Sequence, residues 1–161
     1  MQLDDMLALV ANSTFVPSNR ARLFAQGLLA GFEGDFAVAS HLLIPQIENG
    51  LRHVLSARGH RVSGLDQYGV QDEMDLNELL PTYVGALEAI FGEDTAFDLR
   101  GLLVERFGTN LRNRLAHGLL TYEDVQSPRG AYLWWLALRL CVACPACPSD
   151  LADAADSESA F

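Results

Sequence analysis

The stretch that most constrains the fold runs from residue 35 to residue 57. Apolar side chains recur there at three- and four-residue intervals: Val38, Leu42 or Leu43, Ile47, Leu51, Val54 and Leu55. That period predicts a long central helix with one buried stripe, starting at Asp35 or an adjacent residue and ending near Ala57. Pro45 falls inside it and removes a backbone hydrogen bond, so a kink is expected near His41 to Leu42. The opposite side carries His41, Glu48, Asn49, Arg52 and His53. Glu48 precedes Arg52 by four residues, the favourable order for a helical ion pair.

The rest of the chain repeats the helical period in shorter pieces. Leu3, Met6, Leu7 and Val10 predict a first short helix. Pro17-Ser18 opens a second with Ser18 as a cap and Leu23, Phe24, Leu28 and Leu29 inward; the Gly31 to Gly34 segment breaks it. Residues 59 to 74 contain scattered glycines and no sustained period, which reads as a long loop. Asp75 or Asn77 caps a short turn through Leu80. Pro81 or Thr82 begins a helix to Phe91 with Val84, Leu87 and Ile90 inward, and another runs from Thr95 to Phe107 with Phe97, Leu99, Leu102 and Leu103. After a turn over residues 121 to 127, a last helix extends from Arg129 to about Val142. Trp135 and Leu136 on it belong either to the core or against a second subunit. The expectation is an all-α bundle of about five to seven helices.

At 161 residues, half of them hydrophobic, the chain reads as one domain over residues 1–148 with an acidic, frayed tail over 149–161. The start is acidic where a secretory signal would be basic. The longest apolar run, residues 131 to 144, is broken by Arg139 and is too short to span a bilayer. A cytoplasmic protein without membrane partners is the expectation. Cys141, Cys144 and Cys147 are spaced like half a zinc or iron–sulfur site but lack a fourth ligand nearby, so reduced thiols are preferred over a metal, and no cofactor is expected. Nothing matches a Ser/His/Asp hydrolase, a P-loop or a dinucleotide fingerprint.

Charge narrows the partners. The net charge is −10 and every basic residue is arginine. From Val62 to Leu99 there are nine acids and no basic residue, and four more acids follow Pro148. Between Arg100 and Arg114 lie four arginines against the single acid Glu105. An anionic ligand would be drawn to that segment and repelled elsewhere, which disfavours duplex DNA and favours a small or single-stranded target. The alternative is that these arginines decorate a solvated helix face.

The same segment carries the most specific pattern in the chain, Gly108-Thr109-Asn110-Leu111-Arg112-Asn113-Arg114-Leu115-Ala116-His117-Gly118. Thr109 or Asn110 can cap a short helix and Gly118 can end it in a left-handed residue. Leu111 and Leu115 anchor one face, and Asn113 and His117 share another. In this form, N-L-R-N-R-L-A-H-G-L-L resembles the signature of the HEPN superfamily, small all-α domains of which many are metal-independent ribonucleases. A second stretch, L-I-P-Q-I-E-N-G-L-R-H-V-L at residues 43–55, resembles a HEPN branch often found at the C-terminus of larger bacterial proteins. The two cover about residues 40 to 121.

The resemblance implies catalytic roles for Arg112, Asn113 and His117, with Arg114, Glu48 and Arg52 as ligand-contacting or orienting residues. Histidine is suited to act as base or acid near neutral pH, and arginine presents a fixed fork of donors to phosphate oxygens. One histidine cannot easily be base and acid in the same step; in the family two motifs often meet across a two-fold, which implies a homodimer. The competing reading is a non-catalytic nucleotide- or RNA-binding or protein-interaction domain, in which Arg112, Asn113 and His117 form a hydrogen-bonded knot. In one toxin branch a tyrosine lies two residues after the histidine. Here that position is Leu119, and Tyr122 is too far along to replace it, which weakens a toxin–antitoxin assignment.

Overall fold

The computed structural model describes residues 1–65 and 71–143. Among these, nine α-helices and one two-stranded sheet form an all-α bundle. In order they are α1 (Leu3–Val10), α2 (Ala21–Phe32) preceded by a single 3-10 turn at Ser18–Arg20, and α3 (Phe36–Ala57). The strands β1 (Ser63–Leu65) and β2 (Gln71–Glu73) come next, then α4 (Leu76–Thr82), α5 (Val84–Phe91) and α6 (Glu93–Leu103). The series ends with α7 (Leu111–Ala116), α8 (Tyr122–Val125) and α9 (Pro128–Ala143).

The central helix is α3. The Asp35 carboxylate accepts a hydrogen bond from the Val38 amide at 2.9 Å and caps it. The helix then runs without interruption through Pro45, which is exposed. Leu43, Ile44, Ile47, Leu51, Val54 and Leu55 are sealed in the core, and α3 packs chiefly against α2 and α9. Val38, expected inward, is 46% exposed. The buried face begins instead at Ala39, one residue and about 100° around the helix.

Three other expectations are corrected. Residues 59–74 are not all loop: β1 and β2 pair antiparallel with Ser63 opposite Glu73 and Gly64 opposite Asp72. Strands of three residues are too short to show an alternating pattern, so their pairing leaves no trace in the hydropathy. Phe97 is 75% exposed, because the inner face of α6 is Thr95, Ala96, Leu99, Leu102 and Leu103. Residues 121–127 contain a helical turn, α8, whose Thr121 cap and Asp124 bond each other's backbone amides. Trp135 is 43% exposed beside Tyr132, with Arg139 over its ring, while Leu136 is buried. Burial pushes the Cys141 thiol up to about 12; Cys144, Cys147 and the acidic tail lie outside the described residues. Among the described residues no helix is long and apolar enough to cross a membrane.

Candidate functional site

The motif helix α7 lacks the expected side-chain cap at its N-terminus and is fixed there by the junction with α6, while its C-terminus ends as expected at Gly118. The Thr109 amide donates to the Gly101 carbonyl at 3.1 Å and its hydroxyl to the Leu102 carbonyl at 2.6 Å, stitching the approach to the end of α6. Gly108 lies so close to α6 that a Cβ there would sit 2.0 Å from the Gly101 oxygen. Asn110 takes a left-handed conformation, φ 49°, and neither it nor Thr109 caps the helix with its side chain. Asparagine tolerates that conformation better than most residues, and its Oδ1 instead accepts from Asn113 Nδ2 at 2.7 Å. Leu111 is buried and holds the helix down. Gly118 ends it with φ 64°, as its sequence position predicts, while the Leu119 amide closes back onto the Arg114 carbonyl at 2.8 Å.

α7 packs against α3 and α6, which brings the two sequence stretches together. Glu48 is the shared element. Its Oε1 accepts from Arg52 Nη1 at 2.9 Å and its Oε2 from Arg112 Nε at 3.0 Å, with the three side chains only 14–21% exposed. Arg52 also donates to the Met74 carbonyl at 2.9 Å, and so ties α3 to the end of the hairpin. Arg112 donates through Nη1 to Asn113 Oδ1 at 3.1 Å and stands 3.5 Å from the Asp75 carboxylate. The Asn113 and Asn77 amides bond each other in both directions, at 3.0 and 3.1 Å.

Asp75 and Asn77 belong to this cluster although their sequence positions mark them only as helix caps. Asp75 does cap α4, accepting from the Asn77 and Glu78 amides. Burial pushes its carboxyl pKa up. Hydrogen bonds from the Asn77 side chain and the Glu78 and Asn77 amides, with the Arg112 charge, outweigh burial and hold it below the usual 3.8. No local pattern could have revealed its reach to Arg112, since that contact depends on where α4 meets α7.

The other motif residues stand apart. Arg114 pairs with Asp124 at 2.7 Å and donates to the Leu119 carbonyl at 3.3 Å, tying α7 to α8. The Thr121 amide, opposed by burial and helped by Arg114, holds the Asp124 carboxyl below its ordinary range. His117 occupies the exposed end of α7, and among the described residues its ring makes no hydrogen bond or ion pair. A cavity of about 250 Å³ opens beside the cluster, lined by Ile44, Pro45, Glu48, Arg52, Arg112, Leu115 and Ala116. His117 is the next residue along but is not in its wall.

Three of the four arginines over residues 100–114 are paired with acids in space, and the fourth, Arg106, is exposed without an ion pair among the described residues. Arg112 meets Glu48 and Asp75, Arg114 meets Asp124, and Arg100 meets Glu105 at 2.8 Å. What remains chemically is a guanidinium held in a fixed orientation by Glu48, Asn113 and Asp75 in the wall of a small cavity, and an uncommitted imidazole at the end of the same helix. Comparison with protein-family models, with curated proteins and with solved structures found no match to this chain.

Proposed function

We propose that the chain is a HEPN-like domain acting, as a homodimer, as a metal-independent endoribonuclease through Arg112, Asn113 and His117. The observation that carries this reading is the division of labour on α7. Arg112 is held rigidly by Glu48, whereas His117 is exposed and uncommitted a few residues on. In such a reaction an imidazole takes the proton from a ribose 2′-hydroxyl, whose oxygen attacks the adjacent phosphorus. The P–O5′ bond breaks to leave a cyclic phosphate, and a second acid protonates the departing 5′-oxygen. Arg112 stabilises the extra negative charge on the phosphorus oxygens, and Asn113, fixed by Asn77 and Asn110, holds the Arg112 fork in register. The second imidazole comes from the dimer mate.

A second reading is a non-catalytic RNA- or nucleotide-binding module, favoured by the pairing of Arg112 with two carboxylates. The deciding experiment is RNA cleavage in the presence of EDTA by the wild type, Arg112→Ala and His117→Ala, with folding and dimerisation checked on each. Cleavage lost in both variants, with fold and dimer intact, supports the nuclease. Binding of RNA without cleavage by the wild type supports the second reading and ends the first.

A further inference from the structure

We infer that a separate groove on the far side of Arg52 is a binding site for a phosphorylated sugar. The groove has a volume of about 710 Å³ and runs between the Pro17–Arg20 turn, the second half of α3 and the hairpin. It is not the Glu48–Arg112 cavity, and its polar walls suit a hydroxyl-rich ligand. Three cationic or cation-capable side chains line it: Arg20, Arg52 and His53. Among the described residues, the Arg20 and His53 side chains make no hydrogen bond or ion pair. Among the described residues Arg52 commits only Nη1, to Glu48 and the Met74 carbonyl.

Arg20 and Arg52 line one concave space, and the two differ in charge balance: Arg52 is met by Glu48, whereas Arg20 has no ion pair among the described residues. Arg20 therefore supplies the charge for an anion, and Arg52 supplies oriented donors beside it. Among the described residues the one acid in the wall is Glu73 on β2. It favours a ligand with its charge at one end over an extended polyanion. The amides of Asn19 and Asn49 offer both donors and acceptors, the complement of sugar hydroxyls. Among the described residues that line it, the ring systems are Pro17 and the His53 imidazole, neither of which is a large aromatic face for a nucleobase. The site therefore takes a phosphomonoester on a polyol body. This assignment is independent of the reading of α7.

Titration calorimetry tests it with four probes: ribose 5-phosphate, inorganic phosphate, ribose and adenosine monophosphate. Ribose 5-phosphate is expected to bind saturably, inorganic phosphate more weakly and ribose not at all. Arg20→Gln and His53→Gln each weaken ribose 5-phosphate by about tenfold, a change of about 1.4 kcal/mol, while Arg112→Ala leaves it within about threefold. His53 is exposed and Arg20 half-buried, and circular dichroism confirms that both variants fold. Absence of saturable binding at millimolar ribose 5-phosphate overturns the proposal. So does binding abolished by Arg112→Ala but indifferent to Arg20→Gln, which would put the anion at α7. Adenosine monophosphate binding about tenfold tighter than ribose 5-phosphate overturns the sugar assignment.

Discussion

Removing the Glu48 carboxylate tests whether the site is assembled by one shared acid. Glu48 accepts one charge-assisted hydrogen bond from each of two arginines, at 2.9 and 3.0 Å, with its own side chain 14% exposed. Such bonds contribute about 1.5–3 kcal/mol each when shielded from water. Both guanidiniums keep other partners, however: Arg52 the Met74 carbonyl, and Arg112 Asp75 and Asn113. The expected loss in Glu48→Ala is therefore nearer one such bond than two, about 2 kcal/mol, or a fall in Tm of about 4–8 °C for a chain of this size. A double-mutant cycle of Glu48→Ala with Arg112→Ala should return a coupling of about 1–1.5 kcal/mol. Urea unfolding followed by the fluorescence of Trp134 and Trp135 measures all four corners. The Arg100–Glu105 pair supplies the control, since its side chains are 42% and 45% exposed and its coupling should not exceed about 0.5 kcal/mol. A Glu48–Arg112 coupling no larger than that of the control would refute the claim that Glu48 positions the guanidinium.

His117→Ala should leave stability within about 0.5 kcal/mol of the wild type, because the ring is exposed and unbonded, while abolishing RNA cleavage under the proposed function. Denaturation and cleavage assays on one preparation check both halves, and a large loss of stability would mean that the imidazole has a structural partner. Gly108→Ala should destabilise by about 2–3 kcal/mol, since the new methyl meets the Gly101 carbonyl oxygen and backbone cannot step aside as a side chain can; urea unfolding reads this directly. The hydrogen bond to Asp98, with burial and the Asp98 charge, raises the Tyr132 phenol from 10.0 to about 12. Its protonated form is the one favoured by folding, so the stability it contributes is complete below pH 10 and is lost as the pH rises through about 12. An ultraviolet titration should show a late step for Tyr132, absent in Tyr132→Phe and moved earlier in Asp98→Asn.

Elements whose stability is local were legible in the residues. Asp35 as a cap, the apolar period through Leu55, Asp75 ahead of α4 and Gly118 behind α7 each act through neighbours within four residues, so their effect can be read along the chain. Features set by tertiary contact were not. Asn110 looks like a cap, yet the tight junction with α6 forces it left-handed and turns its side chain to Asn113. Phe97 looks like core, yet its neighbours Ala96 and Leu99 define a face that leaves it outside.

Charge is where the difference has the most consequence for function. Residues 100–114 are basic when counted along the chain, but the fold delivers Glu48 from 64 positions upstream, Asp75 from the acid-rich middle segment and Asp124 from α8. Each arrives at a guanidinium within 3.5 Å, well inside the distance over which one charge cancels another's attraction for a third. A phosphate approaching Arg112 must therefore compete with Asp75 or use the donors left over, and its affinity there comes from geometry more than from net charge. Arg20 presents the reverse case. Nothing in its sequence surroundings marks it as an anion ligand, but no acid pairs with it among the described residues and it shares a groove with Arg52 and His53. The field that attracts a ligand is set by the charges the fold leaves unpaired. On that argument the groove beside α3 should capture free phosphoesters more readily than the motif helix does, and under the proposed function the motif helix should act only on a phosphate that the rest of its substrate has already brought into place.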